Sequence, residues 1–209
     1  MFRIITDFIN HHDKTTRQNR RLFLILLIAS IVALLSAFVL SVEAIELIKN
    51  PSAQLSCNIN SVISCGEVGK SAYSSLFGFP NSFIGMMVEP IFVTVAIAGL
   101  FGTKFSRRFM LGMQFAMILA ILFALYLFIT SVALVGALCP WCLTVDITTA
   151  FMAYALTRYN IIEGNLFLSR RLDKKIRGLI SKDYDKLLIA SVLIIGAMAI
   201  ILRFGRNLF

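Results

Sequence analysis

Charge is scarce in this chain. Asp, Glu, Lys and Arg make up 15% of its 209 residues, against roughly 25% in a typical soluble domain. Only 12 Gly and 4 Pro are present, which excludes collagen-like and low-complexity chains. Four Cys are too few for a small disulfide-stapled scaffold. Apolar residues are what the sequence has in quantity: 58% belong to the AVILMFWYC set, and mean hydropathy is +0.85. A water-soluble domain cannot hide that much apolar surface. A polytopic all-α membrane protein is the class that remains.

The formal net charge of +9 would suit nucleic acid, but the placement of the charges argues for a bilayer. Arg3, Lys14, Arg17, Arg20 and Arg21 precede the first apolar run. Lys104, Arg107 and Arg108 share one short connection. Arg158, Arg170, Arg171, Lys174, Lys175, Arg177, Lys182 and Lys186 fall between the fourth and fifth runs. Basic residues in alternate loops are what the positive-inside bias predicts. Nucleic acid is therefore not expected as a partner.

A span needs about 20 apolar residues at roughly 1.5 Å each. Residues 22–42, 82–102, 109–138, 141–157 and 187–202 meet or approach this, the second holding Glu89 and the fourth Asp146. The third is longer than one crossing needs. Five transmembrane helices follow, the fifth rather short, with the N-terminus cytoplasmic and the C-terminus outside. Residues 22–42 are too long for a usual signal-peptide core and no clear cleavage site follows, so they read as a retained span. The layout is a basic cytoplasmic N-terminus (1–21), a four-helix unit (22–157) with a large outward loop (43–81), a basic cytoplasmic linker (158–186), and a fifth span with a short outward tail (187–209).

On this topology all four cysteines face outward, where disulfides persist. Cys57 and Cys65 lie in the large loop; Cys139 and Cys142 open the fourth helix as Cys-Pro-Trp-Cys. A C-x-x-C at a helix N-terminus suits redox chemistry, because the free N–H groups and the helix dipole stabilise the reactive thiolate. Cys142 lies about one turn deeper than Cys139. Inert bridges and a four-thiolate zinc site are the competing readings, although zinc knuckles are usually shorter than the Cys57–Cys65 spacing. Pairing stays open at this point.

Ser56-Cys57-Asn58, Ser64-Cys65-Gly66-Glu67-Val68, Ser71, Phe77-Gly78-Phe79-Pro80-Asn81-Ser82 with Gly85, and the Cys139/Cys142 pair together resemble the vitamin K epoxide reductase family, most closely its bacterial members. The resemblance covers about residues 20–157. It implies a four-helix transmembrane bundle around a quinone-type ring, capped by the outward loop. It further implies Cys57 and Cys65 as a shuttle pair, and Cys139 and Cys142 as the pair that reduces quinone of the menaquinone or ubiquinone type. Ser71 matches the family's loop serine, and Asn81 its quinone-binding asparagine. Bacterial members oxidise a thioredoxin-fold (DsbA-like) protein outside the plasma membrane, a role shared with the unrelated DsbB type. Many carry a fused thioredoxin-like domain; this sequence ends at Phe209, so the partner is expected in trans. Reduction of vitamin K epoxide at the same site, and a non-catalytic protein braced by disulfides, are the alternatives.

One position departs from the family pattern. Where an aromatic usually follows Cys142 by four residues, Asp146 stands. It shares a helix face with Cys142, and intramembrane carboxyls are functional candidates. Asp146 is expected to donate to the quinone or its pocket, and Trp141 to line the quinone mouth. Glu89, beside Pro90, reads as a packing anchor rather than a proton relay. The His11/His12 pair has no cysteine or carboxylate cluster around it, so no metal site is expected.

Overall fold

The computed structural model describes residues 13–205, and within them the chain is helical. Helix α1 is Lys14–Lys49, α2 Cys65–Lys70, α3 Ser82–Leu100, α4 Arg107–Thr130, α5 Pro140–Ile162, α6 Arg170–Ser181 and α7 Tyr184–Phe204. A 3₁₀ turn, Ala72–Ser75, follows α2, and a π-helical turn, Ser131–Val135, extends α4. No β-strand occurs among the described residues; a single parallel bridge joins Ile63 to Leu138. His11 and His12 lie outside the described residues.

Local chemistry sets the helix starts. The Asp13 carboxylate accepts from the Thr16 N–H at 2.8 Å and the Ser106 hydroxyl from the Phe109 N–H at 3.3 Å, each filling a donor the helix cannot satisfy itself. At α5 the Cys139 sulfur takes the cap position, accepting from the Cys142 N–H at 3.4 Å, and Pro140 follows at the first helical position. Proline is at home there because its missing N–H would have had no helical partner.

Four helices share one core. Leu22, Phe23 and Leu26 of α1, Phe92 of α3, Met110 and Met117 of α4, and Met152 and Leu156 of α5 are all buried in it. Lipid is as apolar as these side chains, so close packing rather than expulsion from water holds such helices together. Small residues permit that approach: Ala29, Ala33 and Ala37 repeat every four residues along the buried face of α1. A Cβ added to Gly99 of α3 would sit 2.3 Å from the Phe23 ring. The apolar stripe of α4 divides accordingly. Met110, Met113 and Met117 face the core, and Phe115 faces outward.

Four helices, α1, α3, α4 with its π turn, and α7, are long and apolar enough to cross a membrane. The short fifth apolar run is thus one of them. Helix α5, expected as the fourth span, is not: Asp146, four threonines and Tyr154 lower its hydropathy, although it is 23 residues long and packed against α1 and α4. The long third run stops short of residue 138, because Gly136 turns the chain with φ of 73° after the π turn. Two more differences lie in the basic stretch. Arg158 belongs to α5 and is buried, bound by Asp183 and Asp185 rather than standing in a loop. Residues read there as linker form α6.

The basic segments meet at one end of the molecule. Asn19 of α1 donates to Glu163 at 2.7 Å, Arg107 donates to the Asn165 carbonyl at 2.9 Å, and Arg177 donates to the Ile162 carbonyl at 3.1 Å. The cysteines occupy the other end, where Phe204 at the close of α7 packs on Val62 and Leu138.

Candidate redox site

Two backbone hydrogen bonds bring the loop to the mouth of α5. Leu138 donates to the Val62 carbonyl at 2.7 Å, and Ser64 donates to the Leu138 carbonyl at 2.9 Å. The next residue on each side of this bridge is a cysteine, Cys65 after Ser64 and Cys139 after Leu138. Ser64 also caps α2, accepting from the Glu67 N–H at 3.2 Å, in the S-x-x-E pattern of helix starts. Cys65 is therefore fixed at a helix start by backbone geometry.

Asn58 secures the loop from the other side. Its Oδ1 accepts from the Ser64 hydroxyl at 3.0 Å and from the Gly66 N–H at 2.9 Å. A Cβ at Gly66 would fall 2.9 Å from Asn58 Nδ2, so glycine is what allows this clamp to close. Cys57 and Cys65 form a disulfide, while Cys139 and Cys142 are free thiols. Cys139 Sγ lies 3.1 Å from Cys65 Sγ. All three of Cys57, Cys65 and Cys139 are buried, and Trp141, Leu47 and Leu55 pack around them.

The Cys139 thiol is held below the usual cysteine range. The hydrogen bond from the Cys142 side chain is the main cause, and the backbone N–H groups of Cys142 and Trp141 add to it, against the opposing effect of burial. A lowered thiol is the better nucleophile near neutral pH. The cysteine closest to the loop disulfide is thus the one primed to exchange with it.

Behind the thiols lies a cavity of about 1270 Å³. Cys65, Cys139 and Cys142 line one end, and Ser71, Asn81, Asp146 and Glu89 contribute polar groups. Apolar side chains of α4, including Leu119, Phe123 and Phe128, wall the remainder. An apolar chamber with a few convergent polar groups suits a ring-bearing hydrophobic ligand. Glu89 is buried, with no hydrogen-bond partner for its Oε2 among the described residues. A packing anchor would be expected to have one.

The remaining expected residues take particular positions. Asn81 spans the loop, donating to the Tyr73 carbonyl at 2.7 Å and accepting from the Leu76 N–H at 3.1 Å. One amide proton of Asn81 is thereby committed to the loop, and a second is left for a ligand. Ser71 donates to the Val68 carbonyl at 2.7 Å. Trp141 packs on the cysteine cluster and is not among the cavity-lining residues.

Glu43 is the residue that sequence reading passed over. It is buried at the outer end of α1, and its two carboxylate oxygens lie 3.3 and 3.5 Å from Cys57 Sγ. A disulfide sulfur has no proton to donate, so a hydrogen bond from Cys57 to this carboxylate requires the reduced thiol. Its one sequence signal is being the first charge after the first apolar run. Glu43, Cys57 and Cys65 also hold potential metal-ligating atoms within 4.8 Å of one another, but the two sulfurs are bonded to each other.

Comparison with known families decides what this arrangement belongs to. The model of the vitamin K epoxide reductase family matches residues 24–157. The chain belongs to that family. The matched stretch runs from α1 into α5, past its last cavity-lining residue, Thr149, and contains all four cysteines. Family membership makes the protein an oxidoreductase, and its apolar helices mark it as a membrane protein. No curated protein matches the chain.

Proposed function

We propose that this protein oxidises a thioredoxin-fold (DsbA-like) dithiol protein outside the plasma membrane and passes the electrons through two cysteine pairs to a membrane quinone, supporting disulfide formation. The observation that carries the reading is the 3.1 Å approach of the reduced Cys139 to the oxidised Cys65, with Cys142 opening onto the cavity behind. In this reading α5 crosses the bilayer with the four more apolar helices, as the inner wall of a bundle. The basic end faces the cytoplasm and the cysteine end faces outward.

The proposed cycle begins at the loop. A partner thiolate attacks Cys57, forming a mixed disulfide and releasing Cys65 as a thiolate. The second partner thiol attacks its own sulfur in that bond, which leaves the partner oxidised and frees Cys57. Glu43 exchanges the proton of Cys57 at this step. Cys65 then attacks Cys139 within a Cys139–Cys142 disulfide, and Cys142 departs as a thiolate at the cavity. Cys57 attacks Cys65, the loop disulfide re-forms, and Cys139 is released. The redox state seen here, loop oxidised and helix pair reduced, is the one this step leaves.

Closing Cys139–Cys142 again yields two electrons and two protons. The quinone is the substrate that takes them and becomes quinol. Asn81 orients a ring oxygen through its free amide proton, Ser71 supports the loop beside it, and Asp146 supplies a proton or hydrogen bond from the α5 face. The test is a single turnover without any partner: fully reduced protein mixed anaerobically with a soluble quinone. Quinol forms in the wild type and not in Cys142→Ala; equal quinol from both would remove Cys142 from the quinone step.

A further inference from the structure

A second cavity lies at the opposite end of the molecule from the cysteines. Its volume is about 670 Å³, and it opens between α1, α5, α6 and the start of α7. Six cations line it: Lys14, Arg17, Arg21, Arg158, Arg177 and Lys186. Asp183 is the single carboxylate among the lining residues. None of this enters the redox cycle.

The charges are arranged by depth. Lys14, Arg17 and Arg21 follow one face of α1 at the spacing of successive helical turns, and Leu22 and Ile25 continue that face inward. From Lys14 to Ile25 the helix rises about 16 Å. On α5, Arg158 sits at the polar level, with Tyr154 one turn deeper into the apolar run. The result is a basic rim over an apolar floor that joins the sequence's first apolar run.

The internal ion pairs leave an excess at the rim. Arg158 is held by Asp183 and Asp185, Lys186 pairs with Asp183 at 3.1 Å, and Arg177 pairs with Asp173 at 2.9 Å. Lys14 and Arg17 have no ion pair among the described residues. A pocket of like charge with an apolar floor is costly unless an anion with an apolar tail completes it.

We propose that this cavity binds an anionic phospholipid, its phosphate diester among Lys14, Arg17 and Lys186 and an acyl chain against Leu22 and Ile25. Basic pockets between membrane helices recognise such headgroups through short-range charge and hydrogen bonding. The bound lipid ties α1 to α6 and α7, whereas the ion pairs of Arg158 join only α5 to the start of α7. The site is independent of the redox reading, since neither depends on the other's residues.

The test is native mass spectrometry of the detergent-purified full chain, titrated with phosphatidylglycerol or phosphatidylcholine of the same acyl chains. A Lys14→Gln/Arg17→Gln variant is compared with Lys104→Gln/Arg108→Gln, which removes equal charge at the start of α4. The expected result is a preference for phosphatidylglycerol that falls about tenfold in the first variant and is unchanged in the second. Thermal stability of the first variant in lipid-free detergent serves as the folding control. Equal retention of both lipids would overturn the proposal, as would an equal fall in both variants. Saturation by glycerol 3-phosphate at the same concentration as the lipid would overturn it too, by assigning the site to a soluble phosphate.

Discussion

Cys139 Sγ lies 3.1 Å from Cys65 Sγ, and the residues just before them are joined by the Ser64–Leu138 backbone hydrogen bond. The contact between the two cysteine pairs is thus built into the main chain. It does not depend on flexible side chains finding each other. Substituting Cys57 removes the group that would resolve a Cys65–Cys139 bond. Cys57→Ser should therefore accumulate that cross-link, detected by peptide mass spectrometry without reductant. Cys65→Ser should not yield a Cys57–Cys139 bond in comparable amount.

The lowered Cys139 thiol makes a pH prediction with a definite sign. A group whose thiol is held below the usual range ionises at lower pH, so its thiolate is present where an ordinary cysteine, near pH 8.5, is still protonated. With the loop disulfide intact, thiolate absorbance assigned by difference with Cys139→Ser should rise with a midpoint below that of free cysteine. Cys142→Ala, which removes the main cause, should move the midpoint upward. A midpoint unmoved by that change would contradict the assignment.

Two carboxyls should separate the two half-reactions. Glu43 touches Cys57 and Asp146 lines the cavity with Cys142. Glu43→Gln should slow oxidation of the partner dithiol by about a hundredfold, within the usual range for a lost proton-transfer group. Its quinol formation from pre-reduced protein should be unchanged. Asp146→Asn should show the reverse pattern. Rapid-quench measurement of each half-reaction distinguishes them.

Gly66 is the point where the loop clamp can be broken without touching a sulfur. Gly66→Ala forces a methyl against Asn58 and should cost about 1–3 kcal/mol through the weakened hydrogen bonds. In the Cys57→Ser background it should also reduce the trapped Cys65–Cys139 cross-link. Hydrogen exchange of residues 58–66 should quicken in parallel. A full yield of cross-link would show that the clamp does not position Cys65.

The helices, the cysteine pairs and the family were legible because each rests on local pattern: runs of apolar residues, a C-x-x-C after a turn, and ordered short motifs. What escaped was set by packing between distant segments. Glu43 acquires meaning only because α1 ends beside Cys57, 14 residues later in the chain. Arg158 looked like one more loop charge because its partners, Asp183 and Asp185, lie a helix and two turns away. Helix α5 looked like its neighbours by length, but its polar residues leave it outside the four helices apolar enough to cross a membrane, and it lies against α1 and α4. Trp141, expected at the quinone mouth, packs on the cysteine cluster.

The central claim is that electrons cross from the loop pair to the helix pair and leave through Cys142. Anaerobic turnover of the purified protein with a reduced thioredoxin-fold partner and a soluble quinone tests it most directly, comparing wild type with Cys142→Ala. The account predicts one quinol per partner disulfide in the wild type and none in the variant. Folded wild-type protein that yields no quinol with a competent partner would contradict it and leave the Cys57–Cys65 bond a structural brace.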